Sequence, residues 1–218
     1  MLEFLPSLLQ GALVTIEITV AASLVAIVIG LVVGIAKLSK GRIVRTLAIV
    51  YIEFFRGTSL LVQLFWWFFV LPHFGIFLPA MVVGIMGIGM NVGAYGAEVV
   101  RGAIQAVPRG QYEAAIALNM SPSVRMRRVI LPQAVIGMLP PWGNLLIELL
   151  KGTALVSLIT IHDLTFMGQA ENMRTFRTLE IFTLVLVIYY ILGRGLITPF
   201  VRWLEGQFSH GLAQRRSA

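Results

Sequence analysis

Three acid–base pairs stand out in a chain with few charges: Glu53 with Arg56, Glu98 with Arg101, and Glu148 with Lys151. Each has the spacing i, i+3, which puts both side chains on one face of a helix and within reach of each other. Such groups can neutralise one another, hold a charged ligand, or pass a proton. Glu53/Arg56 and Glu98/Arg101 stand near the ends of apolar stretches, where long side chains still reach water. Their first reading is mutual neutralisation. Glu148 and Lys151 lie deeper, with Lys151 ~16 Å along a helix axis from Pro140-Pro141. An ionisable pair at such depth lines a cavity or compensates itself, and the residues alone leave both open.

Other chemistries are excluded by residue type. Cysteine is absent, which removes disulfides, thiolate metal sites and thiol nucleophiles. His73, His162 and His210 have no ligand-like spacing. Neither a Walker-type phosphate loop nor a Gly-x-Ser-x-Gly elbow is present. The chain reads as a non-enzyme that binds no metal and no cofactor of its own.

The elements that position these pairs follow from composition. Of 218 residues, 58% are hydrophobic and only 12% are charged, against about 25% charged in a soluble domain. So few charges cannot cover a water-facing surface, and disorder is excluded by the same numbers. The net charge of +7 does not make a nucleic-acid binder of so apolar a chain. An integral membrane protein remains.

Continuous apolar runs, without alternation, favour helices over a barrel. Ile18–Ala36, completed by the turns from Leu9, is long enough to cross a ~30 Å hydrocarbon core. Further spans are expected at Tyr51–Leu71, Ile76–Val100, Gly137–Ile159 and Glu180–Trp203. Leu71-Pro72-His73-Phe74-Gly75 supplies the turn between the second and third. The fold class is thus all-α, polytopic, with five transmembrane helices in one domain over 1–218 and a core at about 9–203. The first span is too long, and its leader too acidic, to read as a cleaved signal peptide. Gly30-x-x-x-Gly34 and Gly89-x-x-x-Gly93 predict close helix contacts. Glu17 is expected to face protein.

Basic residues set the orientation. Lys37, Lys40, Arg42 and Arg45 follow the first span. Arg101, Arg109, Arg125, Arg127 and Arg128 follow the third, and Arg202, Arg215 and Arg216 the fifth. The other side has Arg174 and Arg177, offset by Asp163 and Glu171. The N-terminus is expected outside and the C-terminus in the cytoplasm.

The cytoplasmic connection at about 107–132 carries most of the information. Pro108-Arg109-Gly110 punctuates the chain, and Gln111–Leu118 reads as a short helix. Asn119 is a residue that tolerates a left-handed helix terminus. Ser121-Pro122 opens a second helix, expected to stop before Leu131-Pro132. Tyr112, Ala115 and Ile116 share one side by spacing. The residues alone fit either a docking projection or a connector lying on anionic lipid.

Glu113-Ala114-Ala115, Asn119 and Ile130-Leu131-Pro132 resemble the "EAA" loop of permease subunits of binding-protein-dependent ABC importers. Glu53–Gln63, Gly93–Gly102, Leu131-Pro132-Gln133-Ala134, Asn144 and Lys151-Gly152-Thr153-Ala154-Leu155 resemble further signatures of the branch that imports polar amino acids. The resemblance covers most of the chain from Gly11 to Trp203. The family normally has glycine where this chain has Asn119, and serine where it has Ala154.

The resemblance implies a type I importer permease fold in the cytoplasmic membrane. It also implies a second, identical or homologous permease subunit, separate ATPase subunits that hold ATP and magnesium, and an extracytoplasmic solute-binding protein. By the same resemblance, Gly110, Glu113, Ala114, Ala115, Leu118, Asn119, Leu131 and Pro132 would couple to the ATPase. A zwitterionic solute needs an acid for its ammonium and a donor for its carboxylate. Asn91, Glu148, Lys151 and Thr153 are candidates on the solute path, with Asp163 at its outer mouth. Half of an ion-gradient-driven transporter, or a membrane anchor, is the alternative reading.

Overall fold

The computed structural model describes residues 2–204, 206 and 207; His210, Arg215 and Arg216 lie outside them. The described residues are helical, without a strand. In chain order come α1 (Leu5–Lys37), α2 (Arg42–Gly57), α3 (Leu60–Phe65), α4 (Ala80–Ala106), α5 (Arg109–Ala117), α6 (Pro122–Arg125), α7 (Leu131–Gly152), α8 (Leu164–Thr175) and α9 (Thr178–Tyr190). Wide π-helical turns occupy Trp66–Val70, Met126–Ile130 and Ile191–Ile197. Four helical stretches are long and apolar enough to cross a membrane: Leu5–Lys37, Ala80–Ala106, Pro122–Ile159 and Thr178–Leu204.

Close approaches at glycines fix the directions of the helices. A Cβ on Gly89 would lie 2.7 Å from Val25, one on Gly93 2.9 Å from Ile29, and one on Gly34 2.7 Å from the Ala97 carbonyl. The paired numbers rise together, so α1 and α4 are parallel. The two glycine motifs therefore serve contacts within the chain. Parallel neighbours place the end of α1 and the start of α4 at opposite ends of the bundle. The segment between them must return across it, which makes five crossings.

That return is not the straight span expected at Tyr51–Leu71. Arg42–Gly57 and Leu60–Phe74 meet at 101°. Thr58 and Ser59 are extended there, with ψ of 152° and 133°. A break in apolar surroundings frees carbonyls that must be satisfied. The Asn91 amide donates to the Phe55 carbonyl at 2.9 Å and to Gln63 Oε1 at 3.1 Å. Gln63 in turn donates to the Phe55 carbonyl and to Thr58 Oγ1.

α7 runs against α4, since Trp142 packs on Gly96 while Gly137 faces Ala103. The last helix, α9 with its continuation to Leu204, runs against α7, since Val201 packs on Gly143 and Leu150 faces Gly193. The start of α1 meets the turn before α8, because Gly11 lies against the Asp163 carbonyl. One end of the bundle thus carries the start of α1, Gly75 and α8. The opposite end carries Lys37–Arg45, α5, α6 and the end of the last helix.

The helix after Ser121 does not stop before Pro132. It continues to Ile159. The π-helical turn explains how: the Leu131 N–H reaches back to the Met126 carbonyl. The wider turn gives the Pro132 ring room that a regular helix denies it.

Candidate functional site

α5 leaves α4 through Val107 and Pro108 and lies at the basic end. Its C-terminus closes as the Asn119 spacing predicts. Asn119 has φ 55°, the Asn119 N–H bonds the Ile116 carbonyl at 2.8 Å, and the Met120 N–H bonds the Ala115 carbonyl at 3.0 Å. These two bonds form the standard glycine-type helix terminus with asparagine in the left-handed position.

Ala115 is 2% exposed. Its small side chain seats α5 on its own bundle, and it is not available to a partner. The Tyr112 hydroxyl donates to the Ile104 carbonyl at 3.1 Å, so Tyr112 and Ala115 form the inner side. Ile116 departs from the side expected for it and is exposed, as are Gly110, Glu113, Ala114 and Leu118. The side of α5 opposite Tyr112 and Ala115 therefore carries one acid among small and apolar groups, flanked by the exposed Arg109 and Gln111. Leu131 and Pro132 are half-buried beneath it, with Leu131 packed on the core.

Of the three acid–base pairs, one forms. Glu98 bridges Arg101 at 2.9 Å and also takes Lys37 from α1. Arg56 instead lies over the Tyr95 ring, 5.1 Å from its centroid. Among the described residues no ion pair joins Glu53 to Arg56 or Glu148 to Lys151. At the other end of the bundle Arg174 pairs with Glu171, and Arg177 with Glu180 and Glu3. That end is nearly balanced, and the basic surplus lies at the α5 end.

The five candidates for a solute path separate into two groups. Asn91 is buried and braces the α2–α3 break, as above, so it does not line an open face. Thr153 is fully buried and its hydroxyl donates to the Leu150 carbonyl at 2.7 Å. Asp163 is not a solvated loop residue but fully buried. It caps α8, with the Phe166 N–H donating to Oδ1 at 2.9 Å and the Tyr189 hydroxyl to Oδ2 at 3.3 Å. Polar side chains in an apolar bundle serve the backbone first, and that accounts for all three. Glu148 and Lys151 are exposed, with Asn144 and Pro141 on the same stripe of α7. Glu17 is also exposed, against expectation, along the outward stripe of α1 with Leu13, Val20 and Leu24.

Burial pushes the Asp163 carboxyl above its ordinary range, against the downward pull of the Phe166 N–H. The folded protein therefore holds this proton more tightly than the unfolded chain. The stabilisation is full below the unfolded value of about 3.9 and is lost as pH rises through the folded value. Asp163→Asn keeps a cap and abolishes the titration. Thermal unfolding of the solubilised protein should show a smaller gain on acidification from about pH 7.5 to 4.5 in the variant than in the wild type. An equal gain would assign the effect to another group.

A further exposed charge is not among the candidates read from the sequence. Arg194 interrupts the last apolar helix, within the π-helical turn, and is exposed. A charge inside a long apolar run was the available signal.

Residues 26–210 match the family described as the binding-protein-dependent transport system inner membrane component. The chain belongs to that family. A probable amino-acid ABC transporter permease protein of Sinorhizobium fredii (y4tF) is 47% identical to this chain, covering 98% of the chain and 92% of the relative. The glutamine transport system permease protein GlnP of Escherichia coli K12 is 38% identical over 86% of the chain and 87% of its own length. Among solved structures, that of an amino acid ABC transporter with histidines has a TM-score of 0.88 at 35% identity, covering 95% of this chain and 96% of that one. The inward-facing MetNI methionine ABC transporter has a TM-score of 0.75 at 23% identity, a likeness of fold. The chain is thus a multi-pass membrane protein of ABC importer architecture.

Proposed function

We propose that the protein is the permease subunit of an ATP-driven importer that moves a polar amino acid, or a related small zwitterionic solute, across the cytoplasmic membrane. The observation that carries this reading is α5: a short helix, ended by the left-handed Asn119, that presents Glu113, Ala114, Ile116 and Leu118 at the basic end of the bundle. That end is cytoplasmic by its excess of Lys and Arg, which puts the N-terminus outside. A small-faced projection with a single acid suits a groove on a separate ATPase, where ATP and magnesium bind. Family membership supports an extracytoplasmic binding protein as the donor of solute and a second permease as the other half of the pathway. The amino-acid class is supported by the named specificities of the relatives, glutamine in Escherichia coli and cystine in Bacillus subtilis. Within the chain, Glu148 and Lys151 are the groups that offer an acid to an ammonium and a base to a carboxylate.

The test is solute uptake into vesicles carrying the complete transporter. Uptake should cease when ATP is depleted and the ion gradient is kept. Uptake that persists on the gradient alone would overturn the proposal in favour of secondary transport. Glu113→Lys should abolish ATP-dependent uptake while the chain still reaches the membrane.

A further inference from the structure

Depth within the bundle can be read from the helix contacts. Lys37 pairs with Glu98 on α4, and Arg202-Trp203 follow Val201, which packs on Gly143 beside the Trp142–Gly96 contact. Cations and an interfacial tryptophan thus mark the inner edge of the hydrocarbon near Gly96–Glu98. A ~30 Å core corresponds to about twenty helical residues, which places the outer edge near Ala80. Leu150 lies about 12 Å farther along α7 than Trp142, and it faces Gly193. Arg194, Glu148 and Lys151 therefore share one depth, close to the middle of the bilayer.

They also share one side. Gly143 and Leu150 of α7 meet Val201 and Gly193 of the last helix. On one flank of that seam, Leu146, Leu192, Leu196 and Phe200 form an apolar cleft with α1. A helix turns by about 100° per residue, and a π-helical turn by less, so Asn144 and Lys151 of α7 and Arg194 of the last helix occupy the other flank, with Glu148 one turn from Asn144 and Lys151 and farther from the seam. All four are exposed. Among the described residues neither Arg194 nor Lys151 has an ion-pair partner. A cation left at mid-depth against lipid is costly and belongs on a water-filled path or against an anion.

We propose that Arg194 is a specificity-determining residue of the solute path, which binds the carboxylate of the passing solute opposite the acid Glu148. The inference rests on the permease reading above. Two bases and one acid give this face a net charge of +1 at mid-membrane. Such a face attracts neutral zwitterionic and acidic amino acids and repels basic ones. The Ile191–Ile197 turn supports the placement, because π-helical turns re-aim side chains and recur at functional positions.

The experiment uses the complete transporter in proteoliposomes with saturating binding protein. The probes are L-glutamine, L-cystine, L-glutamate, L-arginine and L-lysine. A neutral or acidic probe should be carried and the two basic ones rejected. Loss of one charge-assisted contact corresponds to roughly ten- to hundredfold. Arg194→Gln should lower turnover by that factor, Arg194→Lys should restore most of it, and permease pairing and ATPase binding in pull-downs should persist. Unchanged turnover in Arg194→Gln, loss of permease pairing, or L-arginine or L-lysine as the preferred solute would each overturn the proposal. Absence of ATP-driven uptake in the wild type would overturn the permease reading itself, and this inference with it.

Discussion

Gly96→Ala is expected to cost about 1–3 kcal/mol of stability, the usual range for overpacking a tight core, and Gly96→Leu to leave no folded protein in the membrane. A Cβ at Gly96 would sit 2.4 Å from Trp142 Cη2 and 2.6 Å from Cζ2. The indole cannot retreat, because a Cβ position on Gly30 of α1 already lies 2.9 Å from the same Cζ2. Trp142 is thus clamped between two bare stretches of backbone, and α1, α4 and α7 meet at this ring. Gly102→Ala is the matched control. It lies in the same helix with nothing within 4 Å of the added atom, and alanine there should gain about 0.5–1 kcal/mol from helix entropy alone. Trp142→Phe in the Gly96→Ala background should recover part of the loss. Thermal unfolding in detergent measures the two alanine variants and the double variant, and the yield of folded protein from membranes reports Gly96→Leu. Equal behaviour of Gly96→Ala and Gly102→Ala would show that the ring moves aside.

Parts of this joint were legible in the sequence and parts were not. The Gly30/Gly34 and Gly89/Gly93 spacings announced close contact, since the period is a property of one helix. Gly96 did not announce itself, because its meaning depends on a tryptophan from another helix. Asn119 was legible for a similar local reason: few residue types accept a left-handed backbone. The roles of Asn91, Thr153 and Asp163 were not. A polar side chain in an apolar run signals an unmet hydrogen bond somewhere, but the residue type does not say whether backbone or solute supplies the partner. The α2–α3 break was hidden likewise. Gly57-Thr58-Ser59 hinted at it, yet its stability comes from Asn91, far along the chain. Pro132 misled in the opposite direction, since a proline stops a regular helix but not one already widened at the preceding turn.

The second large effect is expected at α5, where adjacent alanines should behave differently. Ala114→Trp adds bulk to the free side of the helix, and the chain should remain folded. Retention of the ATPase in membrane pull-downs should weaken by about 2 kcal/mol or more, roughly thirtyfold, as at the centre of an interface. Uptake should fall with it. Ala115→Trp adds the same bulk to the inner side, where Ala115 is 2% exposed and Tyr112 reaches the Ile104 carbonyl. That change should unseat α5 from the chain itself and lower the unfolding temperature as well. Asn119→Gly should leave both properties intact, since glycine adopts φ 55° without strain. ATPase retention unaffected by Ala114→Trp would remove this side of α5 from the docking surface.

The unbroken helix from Pro122 to Ile159 has a mechanical consequence. At 1.5 Å per residue it is about 57 Å long, so it begins beside α5 at the basic end of the bundle and ends near the turn at Asp163 at the other end. Its closest approach to both α1 and α4 is at the clamped indole, near its midpoint, which makes that ring the natural pivot. A tilt of about ten degrees around that point displaces each tip by roughly 5 Å in opposite directions. A push at the inner tip thus becomes a swing at the outer one. A helix pivoting there as one body would open one mouth while closing the other, with Glu148 and Lys151 on its outer arm.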